Sequence, residues 1–460
     1  MTATISNVFK KKILLDLDSD LNKTANSYYI GIGRSVQWNA TDDKPPAGNT
    51  TFQMREAAYG LQSVKSAEDR TFTVSRNNWT SGAIYDAYND NLTGSGTNPY
   101  YVITDTNKVY ICLEASKQTD GTRNTSTVEP TSVVTDRAFK TSDGYVWRYL
   151  FQLTTLNANK FLSANFLPVN FQEDSLGGGD ATLVQQYNIQ QNAVAGQIVG
   201  IEVLNGGTGF TSSPTITING DGVAATATAS VSGGTVTKIE LDSAADSCRA
   251  FGRGYNQASV AISGGGGSGA VARPIMSSAG IGADARDDLK STAMMFNTKP
   301  AGTETVGIKP KFNVDQDFRQ VMLIRNPLKD DGSTLFTDAV GRGGYNLRLT
   351  SSIAFPVDTL ITGGTSGAKG YVDQVDSSVL HIHQSDSTGY IPFQASETIS
   401  GASLSATIKG ASEVMGAGGP GGMGTSDLKV NSGDIYYLEN RAAVVRSSAQ
   451  TEDIKVVIQI

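Results

Sequence analysis

The sequence predicts a mainly β protein: a discontinuous core with a few peripheral helices, interrupted by two small β modules. Three observations carry this. Charged residues make up only 18% of the chain while glycine reaches 50. Long apolar segments alternate at period two. The texture changes to Gly, Ala, Ser and Thr over residues 179–282 and again over 332–426. Low charge with many glycines and β-branched residues describes short strands joined by tight turns. The 17 Tyr and 16 Phe set it apart from a disordered chain. At 460 residues the chain exceeds one ordinary core and predicts two to four domains.

Residues 1–178 form the first part of the core. Thr50-x-x-Gln53 has the form of a capping box and predicts a helix through Ala57, Leu61 and Val64. Further on, an extended strand places Tyr145, Trp147, Tyr149, Phe151 and Leu153 on one face, which demands a packed partner. In residues 179–282 an internal repeat appears. Gly206-Gly207-Thr208-Gly209 precedes Ile216-x-Ile218, and Gly252-Arg253-Gly254-Tyr255 precedes Val260-x-Ile262. Each half opens with a similar strand, near Val199–Val203 and Val236–Leu241. Two such copies predict a compact module that closes on itself, with glycine at turns needing positive φ.

Residues 283–331 return to the core. The strand from Phe318 alternates Phe318, Gln320, Met322 and Ile324 against Arg319, Val321, Leu323 and Arg325, and Pro327 stops it. The second module, 332–426, holds strand candidates at 370–375 and 379–383. It ends in a glycine-rich run, 416–424, expected to act as a flexible hinge. The last core segment, 427–460, closes with Ile454, Val456, Ile458 and Ile460 on one strand face. Insertions survive where host backbone pairing is untouched, so both modules are expected on exposed loops.

The formal net charge is −7, and Lys10-Lys11-Lys12 is the one basic run. A protein that holds nucleic acid clusters Lys and Arg against phosphates, so this balance argues against such a partner. Ile13, Leu14 and Leu15 are too short an apolar run for a signal peptide, and nothing approaches the ~18 apolar residues of a membrane span. Cys112 and Cys248 form no metal or redox motif, consistent with assembly in a cytosol.

Candidate chemistry is sparse. His381 and His383 are the only histidines; as H-x-H they share a strand face and read either as a metal pair or as ordinary strand surface. Gly264 to Gly269 match G-x-G-x-x-G, but a strand ended by Pro274 follows where a dinucleotide site needs a helix. The acid pairs Asp42-Asp43, Asp287-Asp288 and Asp330-Asp331 sit in turn-like or helix-start settings. Adjacent strand residues point to opposite faces, so they do not form a catalytic pair. Asp284 and Asp287 fit the first turn of a short helix. No catalytic, cofactor or metal residues are assigned.

Five blocks of the core carry a resemblance. They are Gly33-Arg34-Ser35-x-x-Trp38 and Arg76-Asn77-Asn78-Trp79; Asp143-Gly144-Tyr145-Val146-Trp147-x-Tyr149; Phe318-Arg319-Gln320 with Asn326-Pro327; and Tyr437-x-Glu439-Asn440-Arg441, followed by Gln450-Thr451-Glu452. In this order they resemble the baseplate wedge proteins of T-even-like phages, the family known as gene product eight. The resemblance covers roughly half the chain and leaves both modules outside. At Ala442-Ala443 the family tends to carry proline. The family implies a layered β-sandwich core, a homodimer and a non-enzymatic place among the wedge proteins of a contractile tail, in a virion assembled in the host cytoplasm. It implies no cofactor. The competing expectation is a tail-fibre or receptor-binding adhesin whose modules bind glycans.

Overall fold

The computed structural model describes residues 5–67, 69–91, 97–245, 248–300, 305–306, 309–311, 316–413, 421–447 and 451–460. Gln450 and most of the 416–424 run lie outside them. The fold is mainly β, with several antiparallel sheets and few helices. Contacts divide the chain into two units, residues 1–14, 71–295 and 459–460, and residues 15–70 with 296–458. The sequence reading had one interrupted core instead.

In the first unit a four-stranded sheet runs in the order Tyr101–Ile103, Lys108–Glu114, Val146–Gln152, Phe139–Lys140. Both faces are buried. Val109, Ile111, Val146 and Leu150 enter one apolar cluster; Tyr110, Cys112, Tyr145, Trp147 and Tyr149 enter another. The expected single face of five residues breaks after Tyr149. The pairing with Lys108–Glu114 shifts register between Val109 and Tyr110, so Phe151 and Leu153 join the opposite cluster. A bulge of one residue reverses every side chain beyond it. Helix Ala181–Gln191 covers the aromatic face with Ile189.

The repeat pairs with itself. Thr215–Gly220 of the first copy lies antiparallel to Ala258–Ser263 of the second, with Ile216 opposite Ile262 and Ile218 opposite Val260. Strand Gln197–Thr208 pairs with Ser268–Ser277, and Ala227–Ser232 with Thr235–Leu241. The module thus closes on itself, yet it does not stand apart as sequence suggested. Ile198, Val199, Leu241, Phe251, Tyr255 and Ile275 lie in the same cluster as Ile111 and Leu150. Their apolar area needs the core sheet to cover it.

In the second unit, strands Val340–Arg342, Leu61–Ser66, Tyr28–Gly33, Asp317–Arg325 and Asp434–Val445 form one antiparallel sheet in that order. Every residue from Phe318 to Ile324 is buried, so this central strand has no solvent face, and its Arg319 and Gln320 are buried with it. Helix Thr51–Tyr59 is capped as expected, Thr50 Oγ1 accepting from the Gln53 amide at 3.2 Å. It ends at Gly60 rather than continuing, and Leu61–Ser66 becomes a strand paired with Tyr28–Gly33. Tertiary pairing overrides the helical spacing of Leu61 and Val64. At Gly31 neighbouring side chains crowd the backbone: a Cβ there would sit 2.7 Å from Leu61 Cδ1 and 3.0 Å from Met322 Cγ, so those side chains would have to shift. Residues of the second module build a seven-stranded sheet, from Leu404–Thr407 at one side to Gly424–Thr425 at the other. Leu347, Ile361, Val372, Leu380, Ile382 and Phe393 fill its core. One strand of the module, Val340–Arg342, joins the five-stranded sheet instead.

Trp147 is 0% exposed, stacked on Tyr145 at 5.8 Å and met edge-on by Tyr85 at 5.5 Å. Trp147→Ala is expected to cost about 3–5 kcal/mol of stability in denaturant titration, the range for truncating a buried aromatic. A loss under about 1 kcal/mol would show that this face is not core.

Candidate functional site

The motif residues gather into two knots, one in each unit. In the first unit the turn that delivers the aromatic strand is tied down by Asp143. Its carboxylate accepts from Ser126 Oγ at 3.1 Å, from the Thr127 and Val128 amides at 2.8 and 2.9 Å, and from Thr141 Oγ1. Burial alone would raise this carboxyl, but the donors outweigh it and hold the group below its ordinary value. Gly144 follows at φ 92°, where a Cβ would also approach Ser116 Oγ to 2.6 Å. Trp79 Nε1 donates to the same Ser126 hydroxyl at 3.1 Å, and Tyr145 OH to the Asn124 carbonyl at 2.6 Å. Arg76 reaches Asn78 Oδ1 and the Ser163 carbonyl.

In the second unit the knot is built on Arg319, which is 3% exposed. Its Nε lies 2.8 and 2.9 Å from the two Asp42 oxygens, Nη2 meets Asp317 at 3.1 Å, and Nη1 donates to the Ser35 carbonyl. The hydrogen bond from Arg319 holds Asp42 below its ordinary value. Asp42 also accepts the Trp38 amide at 3.0 Å. Arg34, at φ 59°, places its guanidinium 4.0 Å over the Trp38 ring and pairs with Glu56 at 3.0 Å. Trp38 Nε1 donates to the Arg441 carbonyl at 3.0 Å. Asn440 bridges Gln320 and the Pro45 carbonyl, and Glu439 accepts from Tyr437 OH at 2.9 Å and lies 4.0 Å from Arg441. Phe318 is buried beside this knot, and Pro327 accepts the Phe336 amide. Asn326 stands apart in the sheet's far turn at φ 52°, its side chain accepting from the Ser27 amide.

The histidines are not strand surface. His381 is 9% and His383 0% exposed, because strand Val379–His383 lies inside the seven-stranded sheet. Arg342 Nη1 approaches His381 Nε2 at 2.5 Å, and since a guanidinium can only donate, that nitrogen is the acceptor of the pair. His383 lies between Asp373 Oδ1, 2.7 Å from Nδ1, and Ser35 Oγ, 3.3 Å from Nε2. Serine, imidazole and carboxylate stand in the order of a hydrolase triad. A base in that role passes its proton to a leaving group, so substrate must reach Nε2. Here the ring is enclosed and stacked on Tyr371 at 5.7 Å, and Gln316 Nε2 donates at 2.7 Å to the same Asp373 Oδ1 that faces His383. The line is an internal tie between the turn at Ser35 and the sheet.

Among the described residues no three His, Cys, Asp or Glu side chains gather in a way that could hold a metal ion. No described helix is long and apolar enough to cross a membrane. Both cysteines are free thiols. Asp284 is the N-cap of the short helix Ala285–Asp288 and Asp287 lies in its first turn, where the sequence had placed both. Of the ten aromatics in the modules, Phe210, Phe251, Tyr255, Phe336, Tyr345, Phe355 and Phe393 are buried, Tyr187 and Tyr371 are half-buried, and Tyr390 is 37% exposed. Sequence reasoning passed over one residue of note. Arg148 sits mid-strand between Trp147 and Tyr149 and is 4% exposed; a cation flanked by apolar residues on both sides was the available signal.

Neither protein-family models nor curated proteins yield a match to this chain.

Arg319→Ala is expected to cost about 3 kcal/mol in denaturant titration, as for removal of one member of a buried ion pair; a loss under about 1 kcal/mol would remove the knot from the account. Asp20, held by Tyr28 and Lys23 at about 2 against an ordinary 3.8, adds a pH dependence in the same unit. Its folded-state value is depressed, so its contribution is present above 3.8 and is lost as pH falls toward about 2. Asp20→Asn should flatten the acid limb of a stability-against-pH curve, and an unchanged limb would contradict the assignment.

Proposed function

We propose that this chain is a structural subunit of a contractile phage tail, a baseplate wedge protein that holds its neighbours in place and rearranges with them when the sheath contracts. The reading rests on the resemblance of the five core blocks. The observation that carries it furthest is how those blocks use their polar groups. Arg34, Trp38, Arg319, Asn440 and Asp143 all turn inward to fix turns and strand ends, and none of them converges on a shared cleft. Rigid β units with inward ties suit a part that must keep its shape until a signal arrives, with bistability placed in its contacts.

Exposed apolar side chains occur at separate places, which suits a subunit with several partners. Val8 and Phe9 are 76% and 56% exposed on the first helix, and Leu204 and Val271 are 57% and 51% exposed on paired strands of the first module. The adhesin alternative draws less support. Glycan binding commonly stacks sugars on exposed aromatics, and most module aromatics are packed inward.

The proposed partners are a second copy of the chain and other wedge proteins. Sedimentation velocity at micromolar concentration should return a dimer, and a clean monomer would count heavily against this reading.

A further inference from the structure

A hollow of about 380 Å³ opens in the first unit between the end of strand Lys108–Glu114 and the first module. Its floor is apolar: Leu113 of the core sheet and Val199, Ile201 and Ile239 of the module line it. The charged lining resolves into pairs. Each of its four carboxylates is met by a cation: Arg123 meets Asp86, Lys238 lies 2.7 Å from Glu240, Arg249 2.5 Å from Glu114, and Arg273 2.7 Å from Glu202. One lining cation is left over, Lys117.

The backbone of Lys117 is held in place. It bridges to Arg123, and its carbonyl accepts from Lys238 Nζ at 3.2 Å. Its own side chain is half-buried, and the ammonium has no hydrogen-bond or ion-pair partner among the described residues. Nor is Nζ sealed off, since it keeps accessible surface where the residue lines the hollow. Burial, with the positive charge of Arg123 behind it, pulls this ammonium below its ordinary value against the opposing pull of Asp86 and Glu240. A half-buried ammonium that has given up water without gaining an acceptor costs free energy, and an incoming carboxylate would recover it through a charge-assisted hydrogen bond. One unmatched positive charge beside an apolar floor suits a ligand with one negative group and a hydrocarbon body. A polyanion would meet four carboxylates around a single free cation, and a neutral ligand would leave Lys117 as it stands. The volume falls in the range of small-ligand sites.

We propose that this hollow binds a small amphipathic monocarboxylate, its carboxylate on Lys117 and its hydrocarbon chain on the floor of Leu113, Val199, Ile201 and Ile239. The site is independent of the role assigned to the chain above.

The test is isothermal titration of the full chain at about pH 6, where lysine and a carboxylate are both charged, with hexanoate, acetate and hexan-1-ol as probes at constant ionic strength. Hexanoate should bind saturably at millimolar concentration or tighter. Acetate keeps the charge without the chain and hexan-1-ol the chain without the charge, so each should bind about tenfold more weakly or worse. Lys117→Gln should weaken hexanoate about tenfold while leaving hexan-1-ol unaffected. Because the substitution breaks no hydrogen bond, the melting temperature without ligand should hold or rise. Hexanoate heats no larger than those of acetate, or an affinity unchanged in Lys117→Gln, would overturn the proposal. So would a marked fall in the melting temperature of that variant, which would show that the ammonium already has a partner within the fold.

Discussion

Central strands with no solvent face govern both units. Val146–Gln152 separates two apolar clusters, and Asp317–Arg325 is buried along seven consecutive residues. A strand buried on both sides fixes its register, because a slip of one residue would exchange the two cores. It also leaves nowhere for its own polar side chains except inside, so Arg148 and Arg319 must find partners there. Arg319 finds them in Asp42, Asp317 and the Ser35 carbonyl. Arg148 finds one in the Thr135 carbonyl, while its Nη1 has none among the described residues.

The turns that feed these strands are held by side chains rather than by regular structure. Asp143 gathers four donors ahead of the aromatic strand. Trp38, Arg34 and Asp42 lock the segment after Tyr28–Gly33. Such ties act locally and at short range. They suit units that transmit load as rigid bodies, which is what the proposed wedge role asks of them.

Much of this was legible in the sequence, and the failures have identifiable causes. The β class, the capped helix after Thr50 and the pairing of the two repeat copies all follow from local pattern. Leu61 and Val64 kept helical spacing but joined a strand, because pairing with Tyr28–Gly33 outweighs propensity. Phe151 fell on the unexpected face because a bulge does not announce itself in alternation. The histidines looked like strand surface because H-x-H does not reveal whether a strand is central or at an edge. The module at 179–282 looked separable because its glycines resemble linkers, whereas the residues that bind it to the core, such as Val199 and Ile275, are ordinary strand residues. The two knots were visible as motif residues, but which partner each would choose depends on contacts hundreds of residues apart, as with Arg319 and Asp42.

The assignment of a tail role stands or falls on where the chain sits in a particle. Imaging intact virions that carry this chain with a compact fused label addresses that directly. The account predicts added density at the baseplate, repeated around the tail hub and absent from the fibres. Label confined to fibre tips, or virions carrying none, would contradict it.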